Sequence, residues 1–214
     1  MSAPVLYGAE YSVYTRIARL ALLAKGVAYE FEIADVFAPD ADRSRHPFGK
    51  IPILEHDGFR LYEAGAIGRY VDEAFAGPPL QPADARGRAR VAQVVSVLDC
   101  YAFQPLVLEI YVQRVSRKAP DEARIAAALG PAGRVLDALE DMAEHGVFGA
   151  EIGLSEAHLA PMLAYFGLAA EATALLAARP KLAAWWARMR LHRHVLATRF
   201  PAELERSADG IIRS

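Results

Sequence analysis

The sequence predicts an α/β N-terminal domain joined to an all-α C-terminal domain. Segments of strand period and helix period alternate over the first third of the chain. After a proline-rich stretch that begins at Gly77, every β signal stops. Strands followed by a purely helical half imply two domains rather than one interleaved sheet. The divisions fall at residues 1–77, a linker at 78–84, and 85–214.

Pro4 to Tyr7 is a short apolar stretch that reads as a strand. From Thr15 to Lys25, Ile17, Leu20, Ala21 and Ala24 recur at helical spacing, and Gly26 supplies the stop. Tyr29 to Ile33 alternates apolar and polar residues, the period of a half-buried strand. Asp35 to Phe48 has no clear period and reads as a loop. Ile51 to Leu54 and Phe59 to Tyr62 flank Asp57-Gly58, a pair suited to a type I′ hairpin turn, where both central residues need positive φ. Ala64 to Ala74 returns to helical spacing with Ile67, Tyr70 and Val71. The order is β-α-β-loop-β-β-α, which makes a mixed sheet.

Gly77 to Pro82 (GPPLQP) is the most turn-rich segment and the natural linker. Arg86 to Arg117 follows as one long helical pattern with a kink expected at Pro105. Asp121 to His145 is helical with a weak point at Gly130-Pro131; Ser155 to Gly167 and Ala170 to Ala178 give two more helices. Pro180, at a first-turn position, opens another through Leu191. Of the pair Trp185-Trp186, one is expected in the core and the other partly exposed.

Composition narrows the class of function. Hydrophobic residues make up 54% and charged residues 23%, with a formal net charge of -2. No global field draws such a chain to nucleic acid or to an anionic membrane. It holds no unbroken run of about 18 apolar residues, so no membrane span is expected. The N-terminus does not read as a signal peptide, and the single cysteine, Cys100, suits a reducing compartment. A cytoplasmic protein is the expectation. His145, His192 and His194 lack the spacing of a metal site, so no metal is expected.

Three segments carry a family resemblance. Leu6 to Arg16 (LYGAEYSVYTR), running into Leu22 to Val27, is similar to the strand-to-helix opening of serine-type bacterial and phi-like glutathione transferases. His46 to Leu54 (HPFGKIPIL) with Leu61 to Ile67 (LYEAGAI) resembles the family signature N-P-x-G-x-I/V-P-x-L followed by E-S-x-A-I. Leu154 to Pro161 (LSEAHLAP) is similar to the family's C-terminal capping-box helix. The chain is thus identified as a member of the cytosolic glutathione transferase family, in which the N-terminal domain is thioredoxin-like.

The resemblance implies a glutathione site and its parts. Pro52 would be cis, presenting the backbone of Ile51 to the cysteinyl residue of glutathione as another strand would. Lys50, Ile51, Pro52, Glu63 and Ala64 are the implied glutathione contacts. Glu63 and Ala64 open a helix whose free N–H groups suit the γ-glutamyl carboxylate; a helix-start charge is the alternative reading of Glu63. Ala64 stands where the family has serine, and the missing hydroxyl predicts affinity weaker by roughly 0.5–1.5 kcal/mol.

Thiol activation needs a donor. A free thiol has a pKa near about 8.5, and lowering it by about two units takes roughly 2.7 kcal/mol. Ser12, just before a helix, would combine a hydroxyl donor with the helix N-terminus. Tyr7 and Tyr11 are the alternatives, and helix capping is the other reading of Ser12. No cysteine lies between Tyr7 and Arg16, against the cysteine-type subfamilies. Tyr14, Tyr101, Phe103 and Tyr111 are the implied electrophile pocket, with core packing as the alternative. Ser155 is expected to cap its helix, with His158 where the family's capping box has Asp.

The implied activity is conjugation of glutathione to small hydrophobic electrophiles by a homodimer. The same scaffold also carries ether-cleaving, peroxidase and isomerase activities and non-catalytic binding proteins, and fold does not choose among them.

Overall fold

The computed structural model describes residues 2–39, 41–200 and 202–204. Its first half runs β1 (Val5–Gly8), α1 (Val13–Lys25), β2 (Glu30–Ile33), β3 (Ile53–His56), β4 (Phe59–Tyr62) and α2 (Ala64–Ala74). This is the order that the sequence predicts. The sheet order is β2-β1-β3-β4, with β1 parallel to β2 and antiparallel to β3, and β3 antiparallel to β4. The hairpin between β3 and β4 turns on Asp57 (φ 48°) and Gly58 (φ 80°), the two positive values that a type I′ turn requires.

Helix α1 is the hinge of the packing. Gly26, at φ 78°, ends it, and its N–H returns to Leu22 and Leu23 carbonyls. One face places Ala18, Ala21 and Leu22 against Leu6, Leu54, Ile67 and Val71 in a first core. The other face sends Val13, Ile17 and Leu20 into a second core built by the C-terminal helices. Each such fully buried Leu or Ile contributes about 1.5–3 kcal/mol.

After α2 the chain crosses through Leu80, whose N–H donates to Asp72 at 2.8 Å and whose carbonyl accepts from Leu154 at 2.9 Å. Asp72 also pairs with the buried Lys25 at 2.9 Å. Then come α3 (Ala85–Val97), a π-helical segment (Leu98–Ser116), α4 (Glu122–Glu144), α5 (Leu154–Phe166), α6 (Glu171–Ala177), α7 (Pro180–Met189) and α8 (Arg193–Ala197).

The structure corrects several expectations. Around Pro105 the helix is irregular: from Leu98 to Ser116 it is π-type, and the Arg117 N–H reaches the Val112 carbonyl at 3.1 Å. Helix α4 runs unbroken through Gly130-Pro131. Helix α5 starts at Leu154 with Gly153 as its cap, and the buried Ser155 lies inside it. Glu156, not residue 158, returns the capping bond, accepting from the N–H groups of Gly153 at 3.0 Å and Gly149 at 2.7 Å. Helix α8, five residues long, was not anticipated.

The continuous helix from Ala85 to Ser116 is long and apolar enough by composition to cross a membrane, although charges interrupt its apolar run. In the fold it packs against α4 and α5, burying Val94, Leu98, Leu106 and Ile110. Trp185 is buried and Trp186 half-buried, as the sequence predicts.

Candidate active site

The four residues between β1 and α1 bring the chain from the sheet to the mouth of a cavity. Ser12 is the N-cap of α1, with φ -81° and ψ 123°, and its Oγ accepts from the Thr15 N–H at 3.2 Å. Its own N–H donates to the Ala9 carbonyl at 3.0 Å. The turn is clamped from the helical half: the Tyr165 hydroxyl donates to the Tyr11 carbonyl at 2.7 Å. Four residues along, buried Arg16 donates to Thr198 Oγ1, the Val195 carbonyl and Glu203, and lies over the Phe200 ring.

The cavity, of about 580 Å3, is lined by Ser12, Tyr11 and Tyr14 from the turn and Lys50 and Ile51 from the loop before β3. Its other walls are the π-helical segment, Val36, Phe37 and Tyr165. Phe103 and Tyr111 are on that wall; the Tyr14 ring lies 4.8 Å from Phe103, and Tyr111 lies 5.0 Å from Tyr165.

Tyr101 is not there. Its side chain is 64% exposed and lines a separate depression with Val97, Pro131 and Arg134. Residues 101 and 103 are two apart on a helix and point to different sides, so both cannot face one cavity.

The hydroxyls near the site differ in what their protons do. Tyr7 donates to Glu55 at 3.4 Å, beneath the Arg45 guanidinium, and does not line the cavity. Tyr11 donates to Asp35, and burial together with that carboxylate raises its pKa. Tyr14 donates to Asp99, and burial with the same acid raises its pKa as well. Ser12 uses its oxygen as an acceptor, which leaves its hydrogen for a ligand.

The Ile51–Pro52 peptide is cis. Glu63 holds φ 69° and ψ 117° immediately before α2, an unfavourable conformation for a non-glycine residue that costs on the order of 1–3 kcal/mol. The N-terminus of α2 has no side-chain cap and no acidic residue in its first turn. It therefore presents free N–H groups beside Glu63, whose side chain is 65% exposed. Ala64 is buried and adds no polar group. His46, close behind at 3.9 Å from Glu63, accepts from the Phe48 N–H, and burial lowers its pKa.

The sequence reading missed several residues. Asp99 carries the strongest signal among them. Burial pushes its carboxyl up to about 6, with the Glu63 carboxylate adding to the rise and the Tyr14 hydroxyl opposing it. A lone acid between Leu98 and Cys100 in an apolar helical run is a visible oddity, and its partner Tyr14 is a pocket residue. Phe37, 79% exposed and stacked 6.2 Å from Tyr11, lay in a stretch without period. Tyr165 and Val107 look like any core residue.

Comparison with known proteins gives consistent relationships. Residues 6–79 match the model described as glutathione S-transferase, N-terminal domain, and residues 122–188 match glutathione S-transferase, C-terminal domain. The chain is 27% identical over 193 residues to a glutathione S-transferase of Arabidopsis thaliana, covering 85% of this chain and 88% of that one. It is 29% identical over 195 residues to glutathione S-transferase 3 of Zea mays, covering 85% and 86%. Among solved structures, a glutathione transferase of Populus trichocarpa superposes with a TM-score of 0.80 at 26% identity, covering 91% of this chain and 97% of the other. Glutathione S-transferase III in its apo form gives 0.78 at 28% identity, covering 92% and 95%.

Proposed function

This chain belongs to the glutathione S-transferase family, and on that premise we propose that it joins glutathione to small apolar electrophiles, with Ser12 holding the reactive thiolate. One observation carries the choice of Ser12: among the hydroxyls of Tyr7, Tyr11, Tyr14 and Ser12, only the serine proton is uncommitted. Its oxygen already accepts from Thr15, and its hydrogen remains available to donate. The N-terminus of α1 adds a partial positive charge at the same place.

The remaining parts fall into place around that thiolate. The backbone of Ile51 receives the cysteinyl residue at the cis Ile51–Pro52 bond. The free N–H groups of α2 take the γ-glutamyl carboxylate, and Lys50 suits the other carboxylate of the peptide. Glu63 takes the ammonium group. In the reaction, the sulfur electron pair forms a C–S bond. The displaced pair departs with a leaving group, or rests on a neighbouring carbon that then takes a proton from water. Proximity in the cavity supplies the rest of the acceleration. The reading includes a division into residues 1–77, 78–84 and 85–214 and a cytoplasmic homodimer, which family membership supports.

Titration calorimetry with glutathione tests this directly. Heat of binding at ligand concentrations up to the millimolar range is expected, and its absence removes the proposal. Ala64 favours a second reading, binding without turnover, because it deletes one hydroxyl contact to the tripeptide. Heat of binding without consumption of a halonitrobenzene would select that one.

A further inference from the structure

A peptide unit is planar, so its carbonyl and the next N–H turn together. Two such planes meet at Ser12, and both are pinned. Before it, the Tyr11 carbonyl accepts from the Tyr165 hydroxyl at 2.7 Å, and the Ser12 N–H donates to the Ala9 carbonyl at 3.0 Å. After it, the Ser12 carbonyl accepts from the Arg16 N–H at 3.0 Å. With Oγ accepting from Thr15, the hydroxyl hydrogen keeps its freedom to turn.

Tyr165 and Arg16 belong to different helices, yet both lean on one short segment that follows α8. The Phe200 ring stacks on the Tyr165 ring with centroids 3.8 Å apart, and the Arg16 guanidinium lies over Phe200 at 5.8 Å. Thr198 Oγ1 accepts from Arg16 Nε at 3.2 Å, and Glu203 accepts from Arg16 Nη1 at 2.7 Å. The segment is closed on itself, because the Phe200 N–H donates to the same Glu203 oxygen at 3.2 Å. Phe200 is 1% exposed and Thr198 is fully buried. Neither lines the cavity, so they reach a bound thiol through the residues they hold.

We infer that Phe200 and Thr198 are positioning residues for Ser12: they hold Tyr165 and Arg16 where these set the direction of its hydroxyl. This rests on the conjugation reading above, in which Ser12 donates to the glutathione sulfur. Direction matters there, because a hydrogen bond weakens steeply as it departs from linear. Phe200→Leu keeps an apolar filling and removes the ring face on which Tyr165 and Arg16 lie. Thr198→Val keeps the shape and removes the oxygen that accepts from Arg16.

The test is the pH profile of halonitrobenzene turnover at saturating glutathione, read beside thiolate absorbance. A bound thiol raised by about one unit is about tenfold less ionised well below its pKa and equally ionised well above it. In Phe200→Leu, kcat near about pH 6 should therefore fall nearly tenfold, and the gap should close near about pH 9. KM for glutathione should stay within about twofold, because the Ile51 backbone and the start of α2 are untouched. Thr198→Val should shift the profile the same way by about threefold in kcat, and Thr198→Ser, which restores the oxygen, should return it to wild type. Leu139→Val, in the helical core on α4, should lower the urea midpoint without moving the profile. A profile that shifts equally in Leu139→Val overturns the inference. So does one that stays put in both segment variants while Ser12→Ala moves it, and that outcome leaves conjugation standing. If Ser12→Ala also leaves the thiol unmoved, the role of Ser12 falls with it.

Discussion

Replacing Ser12 separates two effects that its hydroxyl performs at once. The oxygen caps α1 by accepting from Thr15 at 3.2 Å, and the hydrogen is free for the glutathione sulfur. Losing the cap costs about 1 kcal/mol of folding stability. Losing a hydrogen bond to a charged partner costs about 2 kcal/mol of thiolate stabilisation, or about 1.5 pKa units. If the bound thiol titrates about two units below its free value, it is about three-quarters ionised at pH 7. In Ser12→Ala the same thiol should be only about one-tenth ionised. Ser12→Asp keeps an acceptor for the Thr15 N–H and offers no donor, so it should retain the cap while raising the thiol pKa at least as far. Thiolate absorbance in the ultraviolet, followed against pH with saturating glutathione, reads the thiol. Urea unfolding reads the cap. An unchanged titration in both variants would refute the argument and return the role to a tyrosine.

Two further outcomes follow from buried groups. His158 is fully buried beside Gly65, its Nδ1 bonded to the Leu154 carbonyl and its Nε2 unpartnered, and burial lowers its pKa to about 4. The folded state therefore binds fewer protons than the unfolded chain between about pH 6.5 and 4, so His158 contributes stability above that window and loses it as pH falls through it. The loss is on the order of 3 kcal/mol. His158→Leu should flatten that part of the stability profile in urea melts, after the opposing trend of Glu156, raised by burial, is shared by both proteins. Equal acid slopes would exclude His158 as the source. Tyr165→Phe removes the donor to the Tyr11 carbonyl next to Ser12, and should cost about 1 kcal/mol of stability. If Tyr165 positions Ser12, the bound thiol pKa should also rise; a stability loss with an unmoved pKa would make the contact purely structural.

The sheet was legible because its chemistry is local. Strand alternation and the Asp57-Gly58 turn each follow from a few adjacent residues, and the turn took the positive φ values that its sequence demanded. The cis Ile51–Pro52 bond was legible for a different reason: a specific motif at Gly49, Pro52 and Glu63 stands in for geometry that no periodicity reveals. The helical half was legible only in outline. Pro105 signals an irregularity in a helix without saying which form it takes; here the segment around it, packed against α4 and α5, is π-helical. Which side of that segment faces the cavity is a matter of packing, and Phe103 and Tyr111 reach it while Tyr101, two positions from Phe103, turns away. Asp99 escaped because its role depends on Tyr14 and Glu63, which lie 85 and 36 positions earlier in the chain.

Helix α1 has consequences for how this protein comes apart. Its one face belongs to the sheet core and its other to the helical core, while Arg16 fastens it to Val195, Thr198 and Glu203 near the far end of the chain. Neither half owns it. Pulling the halves apart would strip water-free walls from both at once, so heat or denaturant meets one cooperative transition rather than two. The same sharing governs how the turn before α1 can change over generations of sequence. A new residue on α1 must satisfy two sets of neighbours together, whereas Phe37, out in solvent at the cavity rim, answers to almost none.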